Sequence, residues 1–203
     1  TPEALNSRFR VSHAMLLNVL SRPEGGCAAM KQLIRDCHDR DAVKHRHARL
    51  AIQMLRSLVE ADIVSLVPRE DAPRLRRLQV NVDLQQEFSL NQSLSLFVVS
   101  AIEVFDKADD SYPLDVLSLV ESILEDPTII LRKQLDRIKR EAVAKMKAEG
   151  IEYDERMAEL DKLDYPKPNA ELIYGAYDAF AQRNPWLGAD SIRPKGVARE
   201  LFE

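Results

Sequence analysis

Lys133, Arg137, Arg140 and Lys147 recur four, three and seven residues apart. At about 100° per residue that spacing puts all four on one side of a helix. Leu131, Leu135, Ile138, Ala142 and Met146 repeat on the other side and predict its packed face. Arg132, Lys139 and Lys145 flank the cations. A ridge of this kind suits a polyanion, because a helical turn of about 5.4 Å keeps step with successive phosphates on a single strand. The plainer reading is a solvated face whose charge is absorbed by Asp136–Arg140 and Glu141–Lys145 pairs within the helix. Asp126 as N-cap, Pro127 at the first helical position and Gly150 past the end predict the boundaries.

A second basic face lies upstream. In the helix predicted over about 43–62, Arg46, Arg49, Gln53 and Arg56 share one side, and Arg46, Arg49 and Arg56 are candidate nucleic-acid contacts. Ala48, Ile52, Leu55 and Val59, widened by Ala51 and Leu58, are the expected core stripe. Arg74, Arg76 and Arg77 sit where a hairpin is expected, and touch phosphates or keep a strand edge soluble.

Other chemistries find little support. Cys27, Cys37, His38, His45 and His47 fit no zinc spacing, since the two thiols are ten residues apart. His45 and His47 could tune an anion contact near neutral pH. Ser12 and His13 are adjacent, so on a helix their side chains diverge, and no carboxylate is placed to orient the imidazole. Glu152, Asp154, Glu155 and Glu159 read as the acidic face of a short helix. Trp186, the single tryptophan, is a core residue or a base-stacking platform. No G-x-x-x-x-G-K-[ST] loop and no DExH box is present, so the groups that cradle phosphates and hold Mg²⁺ are missing.

The elements that must carry these residues follow from the period of the apolar positions. Ser12 caps a helix holding Met15, Leu16, Val19 and Leu20, which Pro23 and Gly25-Gly26 end. A short helix runs from Cys27 to Cys37 on Met30, Leu33 and Ile34, and the 43–62 helix comes next. The period then changes: IVSLVP (63–68) and RRLQVNV (76–82) alternate as strands around a proline-containing loop. Three helices and a hairpin are the order of a winged helix, assigned to residues 1–83. Residues 83–92 read as a connector, and helices follow at 94–105, 114–125, 126–150, 153–163 and 170–182, a helical bundle within 84–203. The fold class expected is mainly α.

At 203 residues, 45% hydrophobic and 31% charged, the chain has the composition of a soluble globular protein of one or two domains. No apolar run approaches the roughly 20 residues of a membrane span, and no secretory leader is evident. Two cysteines rule out a disulfide framework and point to a reducing cytoplasm. The start at Thr1 suggests a piece of a longer protein. Net charge is −4, but it is uneven: residues 127–150 hold 7 Lys+Arg against 3 Asp+Glu, while residues 84–126 hold 1 against 9. A basic face therefore coexists with an acidic whole.

Ser7–Arg22, SRFRVSHAMLLNVLSR, carries an aromatic-Arg pair (Phe9, Arg10), a small hydroxyl residue (Ser12) and a Met-Leu-Leu-Asn-Val-Leu run (Met15–Leu20). It resembles the sequence with which DExH RNA helicases of the superkiller/exosome-cofactor branch pass from their second RecA-like domain into a winged helix. The stretches LSLFVVSAIEVFD and ILEDPTIILRKQLDRIKREAVAKMK resemble the C-terminal region that follows the core of actinobacterial DEAD/DEAH-box helicases. The resemblance implies a parent ATP-dependent RNA helicase, a hydrolase whose ATP and Mg²⁺ belong to motor domains outside this chain. It implies the RecA-like motor of the same chain and RNA as partners, no membrane and no oligomer. Ile34 to Val43 leaves no room for the arch insertion of the exosome helicases, so delivery of RNA to a nuclease is not implied.

Three functions compete. One is an accessory helicase region that braces the motor and contacts single-stranded RNA. Another is a winged-helix transcription regulator with a helical dimerisation domain. The third is a protein-interaction module whose ridge meets the acidic 84–126 block of a neighbour. All three share one expectation: the chain by itself neither binds nor hydrolyses ATP. Calorimetric titration with Mg-ATP is expected to give no saturable heat, and a saturable isotherm would refute the motif reading.

Overall fold

Apolar periodicity explains most of the element order. A computed structural model describes residues 9–22, 26–68, 76–81, 94–188 and 190–202. Their helices are α1 (His13–Leu20), α2 (Gly26–Asp36), α3 (Asp41–Glu60), α4 (Ser95–Ala101), α5 (Tyr112–Ser122), α6 (Thr128–Ala148), α7 (Tyr153–Leu160), α8 (Ala170–Arg183) and α9 (Val197–Phe202). Two strands, β1 (Val64–Pro68) and β2 (Arg76–Val80), pair antiparallel with Val64 opposite Val80 and Leu66 opposite Leu78. The protein is mainly α, with three helices and a hairpin in winged-helix order, then further helices. Among the described residues no helix is long and apolar enough to cross a membrane.

The chain forms two compact units, Thr1–Ser100 with Phe180–Asp190, and Ala101–Ala179 with Ser191–Glu203. The division at Ser100 lies downstream of the 83/84 boundary read from the sequence, which falls in a connector outside the described residues. Arg74 also lies outside them.

In the first unit, α1 starts where expected: Ser12 Oγ accepts from the Met15 amide at 3.2 Å. α3 ends with Asp62 in the left-handed region at φ 54°, with Ile63 N donating to Leu58 O and Asp62 N to Val59 O. Leu16, Val19, Met30, Ala51, Met54, Leu58 and Val64 make the core. The α3 stripe is turned from the one expected. Ala51, Met54 and Leu58 point inward, while Ile52 is 52% exposed.

Residues 180–190 complete this core. Trp186 is buried, donates Nε1–H to Asn184 Oδ1 at 2.9 Å, and meets the His13 ring edge-on at 4.4 Å. Ring and indole N–H are both engaged, so Trp186 is a core residue and offers no face to a base. Ser57 donates its hydroxyl to Met54 O at 2.8 Å, leaving its oxygen to accept from His13 Nε2 at 3.2 Å. The neutral imidazole is thus both packed and satisfied.

Burial lowers the His13 pKa from 6.5 to about 4. Between those values the unfolded chain takes up a proton that the folded chain refuses, so stability falls as pH falls through that window. At about 1.4 kcal/mol per unit, roughly 2 kcal/mol is expected to disappear between pH 7 and pH 5. Urea unfolding at both values checks this: a His13→Gln variant should lose most of the difference, and an unchanged pH dependence would remove His13 as its source.

Candidate nucleic-acid interface

The ridge belongs to the second unit. Its helix, α6, carries 21 residues and is about 31 Å long. Leu131 and Met146 are buried, Leu135, Ile138 and Ala142 are half-buried, and Lys133, Arg137, Arg140 and Lys147 are exposed. The split between an apolar and a cationic side is therefore as expected. Gly150 takes φ 75°, Ile151 N donates to Met146 O, and Gly150 N donates to Lys147 O, which closes the helix as a Schellman turn.

The start of α6 differs. Pro127 is the cap residue, and no side chain caps the helix. Asp126 is instead bound to the segment that precedes α9, accepting from Lys195 Nζ at 2.8 Å and from Arg193 Nη1 at 2.5 Å. Two cations outcompete a backbone amide for one carboxylate because charge-assisted bonds are the stronger kind. The hydrogen bond from Lys195, with that from Arg193 next, holds the Asp126 carboxyl below the usual carboxylate range.

Lys195 is 2% exposed and also donates to Leu124 O at 2.8 Å. The segment around it is tied down along its length. Glu121 accepts from the Val197 and Ala198 amides at 3.1 and 2.8 Å, and Arg199 meets Asp115 at 2.8 Å. Asn169, held at φ 55°, donates to the same Asp115 oxygen, Oδ1, at 2.7 Å. Gly196 leaves no space for a side chain, since an added Cβ would lie 2.8 Å from the Pro168 ring.

This packing changes one member of the ridge. Glu200 of α9 meets Arg137 Nη2 at 2.6 Å, and Glu141 stands 3.9 Å from Arg137 Nε. Gln134, buried on the same helix, donates to Gly196 O at 3.4 Å and to Glu200, while its Oε1 has no partner among the described residues. Arg140 Nε donates to the Asp136 carbonyl at 3.2 Å, so the expected Asp136–Arg140 contact runs through backbone, not through the carboxylate. Lys133, Lys139 and Lys147 make no ion pair among the described residues. Lys133, Asp136, Lys139, Arg140 and Val143 line an open depression of about 730 Å³.

The other candidates are in the first unit. Arg46, Arg49 and Arg56 are exposed on α3, as their spacing requires. Arg76 Nη1 donates to Leu66 O at 3.4 Å across the hairpin. His47 meets Asp39 at 3.2 Å and the Phe9 ring edge-on at 5.2 Å, so it is a packing residue of α3. Among the described residues no group of three or more His, Cys, Asp or Glu is arranged to hold a metal ion. Cys27 is exposed and Cys37 half-buried, each a free thiol.

A family profile described as "Domain of unknown function (DUF3516)" matches residues 1–203. The chain belongs to the DUF3516 family. No curated protein and no solved structure matches it. The DUF3516 match takes in the ridge, the α3 cations and the Arg193–Arg199 segment alike.

That last segment was the part of this DUF3516 chain least visible to periodicity. Its one signal is RPKG, a proline and a glycine around a lysine, between helices α8 and α9. Asp126→Asn should expose its importance. The substitution keeps the shape but leaves the Lys195 ammonium buried without its counter-ion, and about 3 kcal/mol of stability is expected to be lost. Chemical denaturation measures the change, and a loss under about 0.5 kcal/mol would show that the backbone carbonyls suffice.

Proposed function

We propose that this chain is an accessory region of an ATP-dependent RNA helicase, bracing the RecA-like motor and contacting single-stranded RNA through α6. The observation that carries the RNA contact is the exposed row Lys133, Arg140 and Lys147 beside an open depression lined by three cations with Asp136 and Val143, on a helix whose opposite side is packed. Such a surface tracks a sugar-phosphate backbone and reads no base edges, so binding is tolerant of sequence and sensitive to salt. The helicase assignment rests on the resemblance of Ser7–Arg22, Leu94–Asp106 and Ile123–Lys147, and the cytoplasmic setting on the two cysteines.

Arg137 is a poor choice for testing the RNA contact, because reversing its charge would also set two carboxylates, its own and that of Glu200, against each other. Lys133→Glu with Arg140→Glu removes about two phosphate contacts and touches no ion pair of the fold among the described residues. Anisotropy titrations with labelled oligo-U should then show weaker binding and a salt slope of log K reduced by about 1.4 in magnitude. Glu200→Gln is expected to act in the opposite sense. It hands Arg137 to the phosphates, raising affinity and steepening the slope by about 0.7. Equal affinities and slopes in all three proteins would leave the ridge without a nucleic-acid role. Preference for duplex over oligo-U, with a dimer on the duplex, would favour the winged-helix regulator.

A further inference from the structure

Among the described residues, α3 has more apolar surface than its own unit covers. Ala51, Met54 and Leu58 fill the core, yet Ala48, Ile52 and Leu55 form a second stripe rotated around the helix axis. That stripe is the floor of a groove of about 330 Å³, completed by Leu20 of α1 and by Met30 and Ile34 of α2. Ile52 lies in it 52% exposed, an apolar side chain whose burial by a partner is favourable. A helix that is apolar towards two directions is expected where a second body covers the outer one.

Charge identifies the kind of body. Lys31 is part of the groove wall, and among the described residues no carboxylate lines it. Around the axis of α3, Arg49 and Arg56 stand three and four residues from Ile52, hence within about 60° of it, and both are exposed. The slot is apolar at its floor and cationic at its rim. A nucleic acid would satisfy the rim but leave the floor wet, since a sugar-phosphate backbone has nothing to bury there. A plain hydrophobic ligand would satisfy the floor and ignore the rim. We propose that the groove between α1, α2 and α3 docks an acidic amphipathic helix of a protein partner, with its apolar stripe on Ile52 and its carboxylates on Lys31, Arg49 and Arg56. Ala48 to Leu55 covers two turns, about 10 Å, which matches a partner repeat of i, i+4 and i+7. On this assignment the α3 cations steer and orient a peptide and do not read bases.

The test uses the whole chain and two synthetic probes of about 14 residues, each with leucines at i, i+4 and i+7. One carries glutamates beside the leucines and the other carries lysines at the same places. Fluorescence anisotropy should show the glutamate peptide binding at least about tenfold more tightly than its lysine twin. Ile52→Glu, a change at an exposed position that circular dichroism should show to be folded, is expected to weaken that binding about tenfold or more. Arg49→Glu with Arg56→Glu should reverse the preference between the two peptides. Equal binding of both probes, absence of binding, or indifference to Ile52→Glu would overturn the proposal. So would self-association in sedimentation that Ile52→Glu abolishes, which assigns the groove to a second copy, or duplex binding that needs Arg49 and Arg56 while the peptides do not bind.

Discussion

A lysine ammonium withdrawn from water costs several kcal/mol unless its charge and its protons are all met, and the second unit is arranged so that those of Lys195 are. Asp126 supplies the charge, while Leu124 O and Arg193 O supply acceptors at 2.8 and 3.4 Å. Leu124 lies two residues past the end of α5, and Asp126 lies two residues before α6 begins. The pair therefore fixes the turn between these helices and the path of residues 191–199 at once. Apolar packing of Leu119, Leu131 and Ile173 would hold helices together in many rotations, but a buried ion pair with bonded carbonyls tolerates one.

From that constraint the rest of the segment follows. With Lys195 fixed, Gly196 falls against the Pro168 ring, where any side chain would collide. Val197 and Ala198 then present their amides to Glu121, and Arg199 reaches Asp115. α9 has only six residues and could not persist on helix propensity, because nucleating a helix that short is unfavourable in water. Its carboxylate and arginine contacts replace what intrinsic helicity lacks.

Local signals in the sequence located the elements well, because they rest on local physics. Ser12 caps α1, Gly150 closes α6, and the switch to a two-residue period at Ile63 becomes the β1–β2 hairpin. Periodicity located faces less well. It put Ile52 in the core, because an apolar stripe that faces a neighbour and one that faces the interior have the same spacing. Asp126 misled for a related reason. A residue type favoured at helix starts was present at a helix start, but cations some seventy residues along the chain competed for it, and no local window contains them. The cationic side of α6 was legible in full; that Glu200 shares it was not, since the pairing depends on how α9 is anchored.

The Arg137–Glu200 contact has an energetic character unlike the Lys195–Asp126 one. Its side chains are 49% and 27% exposed, so water screens it, and pairs of this kind are worth about 0–1 kcal/mol. Lys195 is 2% exposed and cannot exchange its partner without unfolding its surroundings. The second unit thus combines a structural carboxylate–ammonium pair that holds a segment in place with an exchangeable one that the same segment delivers onto the ridge. A phosphate arriving at Arg137 would displace Glu200 at little cost, with the helix beneath undisturbed because its apolar side is independently packed. That separation, rigid anchoring below and screened charge above, is what the proposed RNA contact requires, since a phosphate could then come and go without refolding.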